Sequence, residues 1–249
     1  MKAFFAALQF LTILPLPASL TGDEKSLAKS VRFFPLVGLL VGALVAATDL
    51  LLQALLPPLA ATCLTVFFLI AITGGLHMDG LADTADGFFS ARTRPRMLEI
   101  MRDSRIGAMG VMAIVFVVAL KVAALTSLSM HGRLGVLVLM PLAGRSAIIL
   151  MMTALPYARP DGGLAAIFLA KRSWWTPVAA FLLLGIVGWG LGRGLGLFAA
   201  LAALAAAALL IRYTLKKIGG FTGDTLGAVS EMTEMMLALS AAAWVHVGV

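Results

Sequence analysis

Residues Phe34–Leu56 read FPLVGLLVGALVAATDLLLQALL, with one charged side chain, Asp49. A helix of that length crosses the hydrocarbon core of a bilayer, which needs about 20 apolar residues. Six more apolar segments follow, at Leu59–Leu76, Gly107–Leu128, Leu134–Leu155, Pro177–Leu191, Leu195–Tyr213 and Met232–Val249. The second, fifth and seventh are short, so the count is six to seven membrane segments. Small residues inside them (Gly38 and Gly42, Gly185 and Gly188) suit close helix packing in lipid. Before them, Met1–Pro17 predicts an interfacial or re-entrant helix ending at Pro15 and Pro17, since it lacks the basic start and cleavage site of a signal peptide. The expected fold is an all-α polytopic transmembrane bundle.

Composition agrees. Of 249 residues, 61% are hydrophobic and 12% charged, against about 25% charged in soluble domains. No polar stretch is long enough for a soluble unit, so residues 1–249 form a single integral-membrane domain. Cys63 stands alone, which excludes a disulfide framework and a thiolate metal site. The net charge of +7 fits cytoplasmic loops and anionic membrane lipid. With no soluble basic patch, nucleic acid is excluded as a partner.

Basic residues orient the chain. With the stretch before Phe34 cytoplasmic, that side collects Lys2, Lys25, Lys29, Arg32, Arg92, Arg94, Arg96, Arg102, Arg105, Arg159, Lys171, Arg172, Arg212, Lys216 and Lys217; the other keeps Arg133 and Arg193. The expected location is the inner membrane, multi-pass, with the site facing the cytoplasm. Lys121 and Arg145 fall mid-segment, where a base costs about 2.5–3.5 kcal/mol on insertion scales. A structural ion pair would explain them. An anionic substrate in the bundle interior explains them better, since Asp49 is the one acid expected at mid-depth in a neighbouring segment.

Eight of the twelve acids lie in two stretches. The first is GGLHMDGLADTADG (Gly74–Gly87), followed by Glu99 and Asp103; the second is GGFTGDTLGAVSEMTE (Gly219–Glu234). Asp79, Asp83 and Asp86, at i, i+4 and i+7, fall within an arc of roughly 60° on one helix face. Like charges there repel, and a divalent cation removes the repulsion. Oxygen ligands without sulfur favour Mg²⁺ or Mn²⁺ over Zn²⁺. Asp224, Glu231 and Glu234 lie in reach as ligands from the second stretch, an arrangement suited to phosphoryl displacement. A helix cap with a solvated face, or an ion pathway of a transporter, would also place acids here. His77 is either a core histidine or a substrate contact, and the glycines permit close approach to phosphate.

These stretches resemble the cobalamin synthase family, the adenosylcobinamide-GDP ribazoletransferases. The likeness rests on Gly74–Gly87, on DSRIGAMG (Asp103–Gly110), on FLTILP (Phe10–Pro15), on PYARP (Pro156–Pro160) and on GGFTGD (Gly219–Asp224) with Glu231, and it runs from about Ala3 to Glu234. It implies a membrane enzyme that joins adenosylcobinamide-GDP to α-ribazole or its 5′-phosphate, releases GMP and needs Mg²⁺. On that footing Asp79, Asp83, Asp86, Asp224 and Glu231 are the expected metal ligands, with Asp86 or Glu231 as proton acceptor. Arg105, Lys121, Arg145 and Arg159 are candidate phosphate partners, and His77, Asp103 and Glu234 complete the expected substrate contacts. A homo-oligomer is compatible with this reading. The acids also resemble the motif of CDP-alcohol phosphotransferases, but Ala82-Asp83 stands where that family has Ala-Arg, which argues against a phospholipid synthase. A cation transporter is the remaining rival.

Overall fold

The computed structural model describes residues 1–159, 162, 165, 167, 168 and 173–248. Lys171 and Arg172 of the basic count, Pro160 of the mid-chain motif and Val249 lie outside the described residues. Among those residues the chain is built from helices: α1 (Lys2–Leu11), short turns α2 (Ala18–Thr21) and α3 (Glu24–Ala28), α4 (Phe34–Leu55), α5 (Pro58–Ile72), α6 (Leu76–Phe88), α7 (Arg94–Ile100), α8 (Ala108–Thr126), α9 (Met130–Ala154), α10 (Trp175–Ile218) and α11 (Gly223–Val247).

The bundle is organised around α9. Its most apolar window is 83% buried, against 28% for α8 and 33% for α10. Neighbouring helices reach it through glycine: a Cβ on Gly38 or Gly42 of α4 would strike the carbonyls of Pro141 and Val138 on α9. With no hydrophobic drive between helices in lipid, such backbone contact supplies the packing. Helix α1 is too short to span and buries Ala3, Ala6, Ala7, Leu8 and Leu11 against the bundle. It ends at Leu11 with Thr12 as its cap, short of the expected stop at Pro15 and Pro17.

Four helices are long and apolar enough to cross a membrane, or five if the bent pair α5–α6 counts as one. The expected six to seven are not reached by this measure, for three reasons. The Leu59–Leu76 segment ends at Ile72, because Gly74 and Gly75 take positive φ of 62° and 70° and turn the chain by 90° into α6. Positive φ costs glycine little. Helix α6 therefore runs across the direction of α5 and is not among the four helices that pass alone. The fifth and sixth segments are two helices that count together as α10, separated by a break at Arg193 (φ 46°, ψ −122°). The backbones of Gly188 and Gly196 touch; eight residues of straight helix would hold them about 12 Å apart, so the chain doubles back at Arg193. Helix α11 begins at Gly223 rather than Met232, so Asp224, Glu231 and Glu234 are helical residues.

Candidate functional site

Two glycines bring the acidic stretches together. A Cβ on Gly80 of α6 would meet Asp224 and Gly227 of α11, and one on Gly227 would meet His77 and Gly80. The backbones thus pass in direct contact, with Asp79, Asp83 and Asp224 beside the crossing. Helix α11 starts at a capping box between Thr222 and Thr225, and Thr222 Oγ1 also donates to Asp224 at 3.2 Å. Just before it, Gly219 ends α10 with φ 72°. The next residues pair with the Pro156–Arg159 stretch: the amide of Phe221 donates to the Pro156 carbonyl and that of Ala158 to the Phe221 carbonyl, both at 2.8 Å. This pairing puts Arg159 Nη2 2.6 Å from Asp224 Oδ2.

The carboxylates differ in situation. Asp79 is exposed, while Asp83, Asp86 and Asp224 are half-buried. The Asp83 carboxyl is pushed up to about 7, first by burial and then by Asp79, Asp224 and Asp86, with Arg159 working the other way. Asp86 turns to the start of α8. Its Oδ2 accepts from the Gly107 amide at 2.7 Å and its Oδ1 from the Gly110 amide at 2.9 Å. A carboxylate there satisfies free amides and meets the positive end of the helix dipole. Any side chain at Gly107 or Gly110 would collide with it.

Among the described residues, no three His, Cys, Asp or Glu side chains already converge as a metal site. The donor set of Asp79, Asp83 and Asp224 nevertheless fits a hard divalent cation, being all oxygen. The raised Asp83 carboxyl records the crowding of negative charge that such a cation would relieve. Asp86 accepts from the α8 amides and Glu231 from Lys121, as Asp224 does from Arg159 and Thr222.

Glu231 and Glu234 lie deep in the bundle and meet the mid-segment bases. Lys121 Nζ donates to Glu231 Oε2 at 2.6 Å and to Glu234 Oε2 at 2.7 Å. Arg145 Nη1 donates to the other oxygen of Glu234, and its Nη2 lies 3.5 Å from His77 Nδ1. The expectation that Lys121 and Arg145 lack acidic partners is therefore corrected: their partners are on α11. Asp49 is close to Arg133 instead, at 3.9 Å, and accepts from Thr65 at 2.9 Å. Glu231 and Glu234 are 5% and 0% exposed. Two cations and two carboxylates leave this quartet neutral and tie α8, α9 and α11 together, with His77 of α6 at its edge.

Arg105 and Asp103 sit in the loop before α8, exposed and paired with each other at 2.7 Å and 3.0 Å. That contact and the Arg105 amide hold the Asp103 carboxyl down to about 2.

A cavity of about 150 Å³ opens beside the α6–α11 crossing. His77, Asp79 and Asp224 border it, and its apolar wall includes Phe10, Phe34, Ile148 and Phe168. Charge and motif reasoning did not single out this wall. Phe10 alone carried a signal, as the first residue of the FLTILP stretch.

The cobalamin-5-phosphate synthase family model matches residues 3–242. Among similar proteins, an adenosylcobinamide-GDP ribazoletransferase of Desulforamulus reducens is 43% identical over 92% of this chain and 91% of its own. One of Klebsiella pneumoniae is 42% identical over 96% and 98%, and one of Geotalea daltonii is 37% identical over 95% of each. No solved structure matches. A family model that covers nearly the whole chain, with relatives this close along their full lengths, leaves one conclusion: the chain belongs to the cobalamin-5-phosphate synthase family.

Proposed function

We propose that this chain transfers the adenosylcobinamide phosphate of adenosylcobinamide-GDP to α-ribazole or its 5′-phosphate and releases GMP. The observation that carries the reading is the cavity: in a chain of this family, Asp79 and Asp224 border a space walled by aromatic side chains. The ribazole 3′-hydroxyl oxygen forms a bond to the phosphorus on the corrinoid side arm. The bond from that phosphorus to the bridging oxygen breaks, and GMP leaves with its electron pair. The hydroxyl proton passes to a carboxylate at the cavity wall, where Asp79 and Asp224 stand in place of the expected Asp86 and Glu231. Arg159, held by Asp224, is the phosphate partner nearest this point and the side chain best suited to the 5′-phosphate form of the acceptor.

Asp79, Asp83 and Asp224 would hold Mg²⁺, which when bound neutralises phosphate charge and polarises phosphorus. Asp86 positions α8 from the same helix face. The neutral quartet of Lys121, Arg145, Glu231 and Glu234 fixes the helices behind the cavity. The basic asymmetry supports an inner-membrane location with this side cytoplasmic.

The test is GMP release from radiolabelled adenosylcobinamide-GDP by purified, detergent-solubilised protein with Mg²⁺ and α-ribazole. Release that depends on α-ribazole supports the reading and separates it from a phospholipid synthase or a transporter. No release under these conditions refutes it.

A further inference from the structure

Among the described residues bordering the cavity, the charged side chains are both acids, Asp79 and Asp224, with no lysine or arginine. The remaining lining is apolar, and three of its side chains form one aromatic group. The Phe10 and Phe34 rings lie 6.0 Å apart and nearly parallel, and Phe168 meets them edge-on at 5.2 Å and 5.7 Å. Flat, uncharged heterocycles are held by such surfaces.

His77 adds one directional contact. It is 2% exposed and borders the cavity, with Nδ1 turned to Arg145 Nη2 at 3.5 Å. A guanidinium only donates, so Nδ1 accepts, and the neutral imidazole carries its proton on Nε2. Arg145 is itself fixed by Glu234, and Glu234 by Lys121. The quartet thereby sets the tautomer from behind, and the opposite edge of the ring is left as a donor.

We infer that this cavity is the subsite for the benzimidazole base of ribazole, with His77 Nε2–H donating to the unsubstituted ring nitrogen of the base. The ribose then lies toward Asp79 and Asp224, which brings its hydroxyls to the carboxylates. The inference rests on the proposed function for the identity of the nucleoside and adds where it binds and which atom recognises it. His77 is in this role a substrate contact, and Arg145 is a positioning residue acting through it.

The experiment is equilibrium dialysis of the full-length, detergent-solubilised chain with α-ribazole, with the indole riboside in which the acceptor nitrogen is replaced by C–H, and separately with adenosylcobinamide-GDP. Wild type should bind α-ribazole about tenfold more tightly than the indole riboside, the worth of one buried hydrogen bond. His77→Leu should bind the two ribosides equally, and His77→Gln, which keeps a donor near Nε2, should recover part of the difference. Phe168→Ala should weaken both ribosides and leave adenosylcobinamide-GDP binding intact, which also reports that the variant is folded. Equal binding of the two ribosides by wild type overturns the inference, and that comparison needs no variant. Loss of adenosylcobinamide-GDP binding in His77→Leu with α-ribazole binding kept overturns it as well, in favour of the guanine. A wild type that releases GMP but does not discriminate the ribosides defeats this inference alone. One that discriminates them but releases no GMP defeats only the proposed reaction.

Discussion

Glu234→Gln is the sharpest test of the buried quartet. Glu234 is fully buried and accepts from Lys121 at 2.7 Å and from Arg145. Lys121 and Arg145 carry +2 against −2 for Glu231 and Glu234, so the substitution changes the sum from 0 to +1 while keeping size and shape. Removing one partner of a buried ion pair costs about 3–5 kcal/mol, because the charge left behind is uncompensated. At about 2–4 °C per kcal/mol for a chain of this size, Tm in detergent should fall by roughly 6–20 °C. The double variant Glu234→Gln/Arg145→Met returns the sum to zero and should regain more than half of the loss. The assay is thermal unfolding of both single variants, the double variant and wild type, read as a double-mutant cycle. Equal Tm for Glu234→Gln and wild type, or no recovery in the double variant, would refute the idea that charge balance holds α8, α9 and α11 together.

Four further expectations concern the carboxylates and the topology. Asp83 has its folded-state carboxyl raised to about 7, above its unfolded value, so its contribution favours the folded chain below about pH 4 and is lost as pH rises toward 7. Metal-free wild type should therefore lose Tm across that window relative to Asp83→Asn, and Mg²⁺ at pH 8 should raise Tm of wild type only; thermal scans at both pH values with and without Mg²⁺ decide it. In the turnover assay, Asp83→Asn should keep less than about a tenth of wild-type GMP release if charge on the ligand matters. Asp86→Ala should cost about 1–2 kcal/mol through the lost cap on α8, and Gly110→Ala about 1–3 kcal/mol, since its Cβ would strike Asp86 and the Ala82 carbonyl; denaturation of each variant is the measurement. With Cys63 replaced by serine, cysteines placed at Arg96 and Lys216 should label only from the cytoplasmic side, and labelling of either in intact cells reverses the orientation.

Sequence spacing was informative wherever one element settled the matter. The runs behind α4, α8 and α9 are long enough that only their ends were open, and the i, i+4, i+7 acids did fall on one helix, α6. Hydropathy could not rank the spans by burial, because an apolar side chain suits lipid and protein interior alike. That α9 is the central helix depends on Gly38 and Gly42 of another helix. The bend at Gly74 and Gly75 and the reversal at Arg193 are backbone events of one or two residues inside apolar runs. The partners of Lys121 stayed hidden because they lie 110 and 113 residues away. The contact of Asp86 with the start of α8 was not legible either, because nothing in its own spacing reports where α8 begins.

The wide separation of Lys121 from Glu231 also bears on biogenesis. Residues leave the ribosome at about 5–20 per second, so a gap of 110 residues lasts roughly 6–22 s. Through that interval α8 sits in the bilayer with an ammonium group and no counter-charge, and Arg145 of α9 waits likewise for Glu234. Helix α11 is thus the one that neutralises two earlier ones. A nascent chain stopped short of Glu231 would carry Lys121 and Arg145 without the carboxylates that pair with them in the folded bundle.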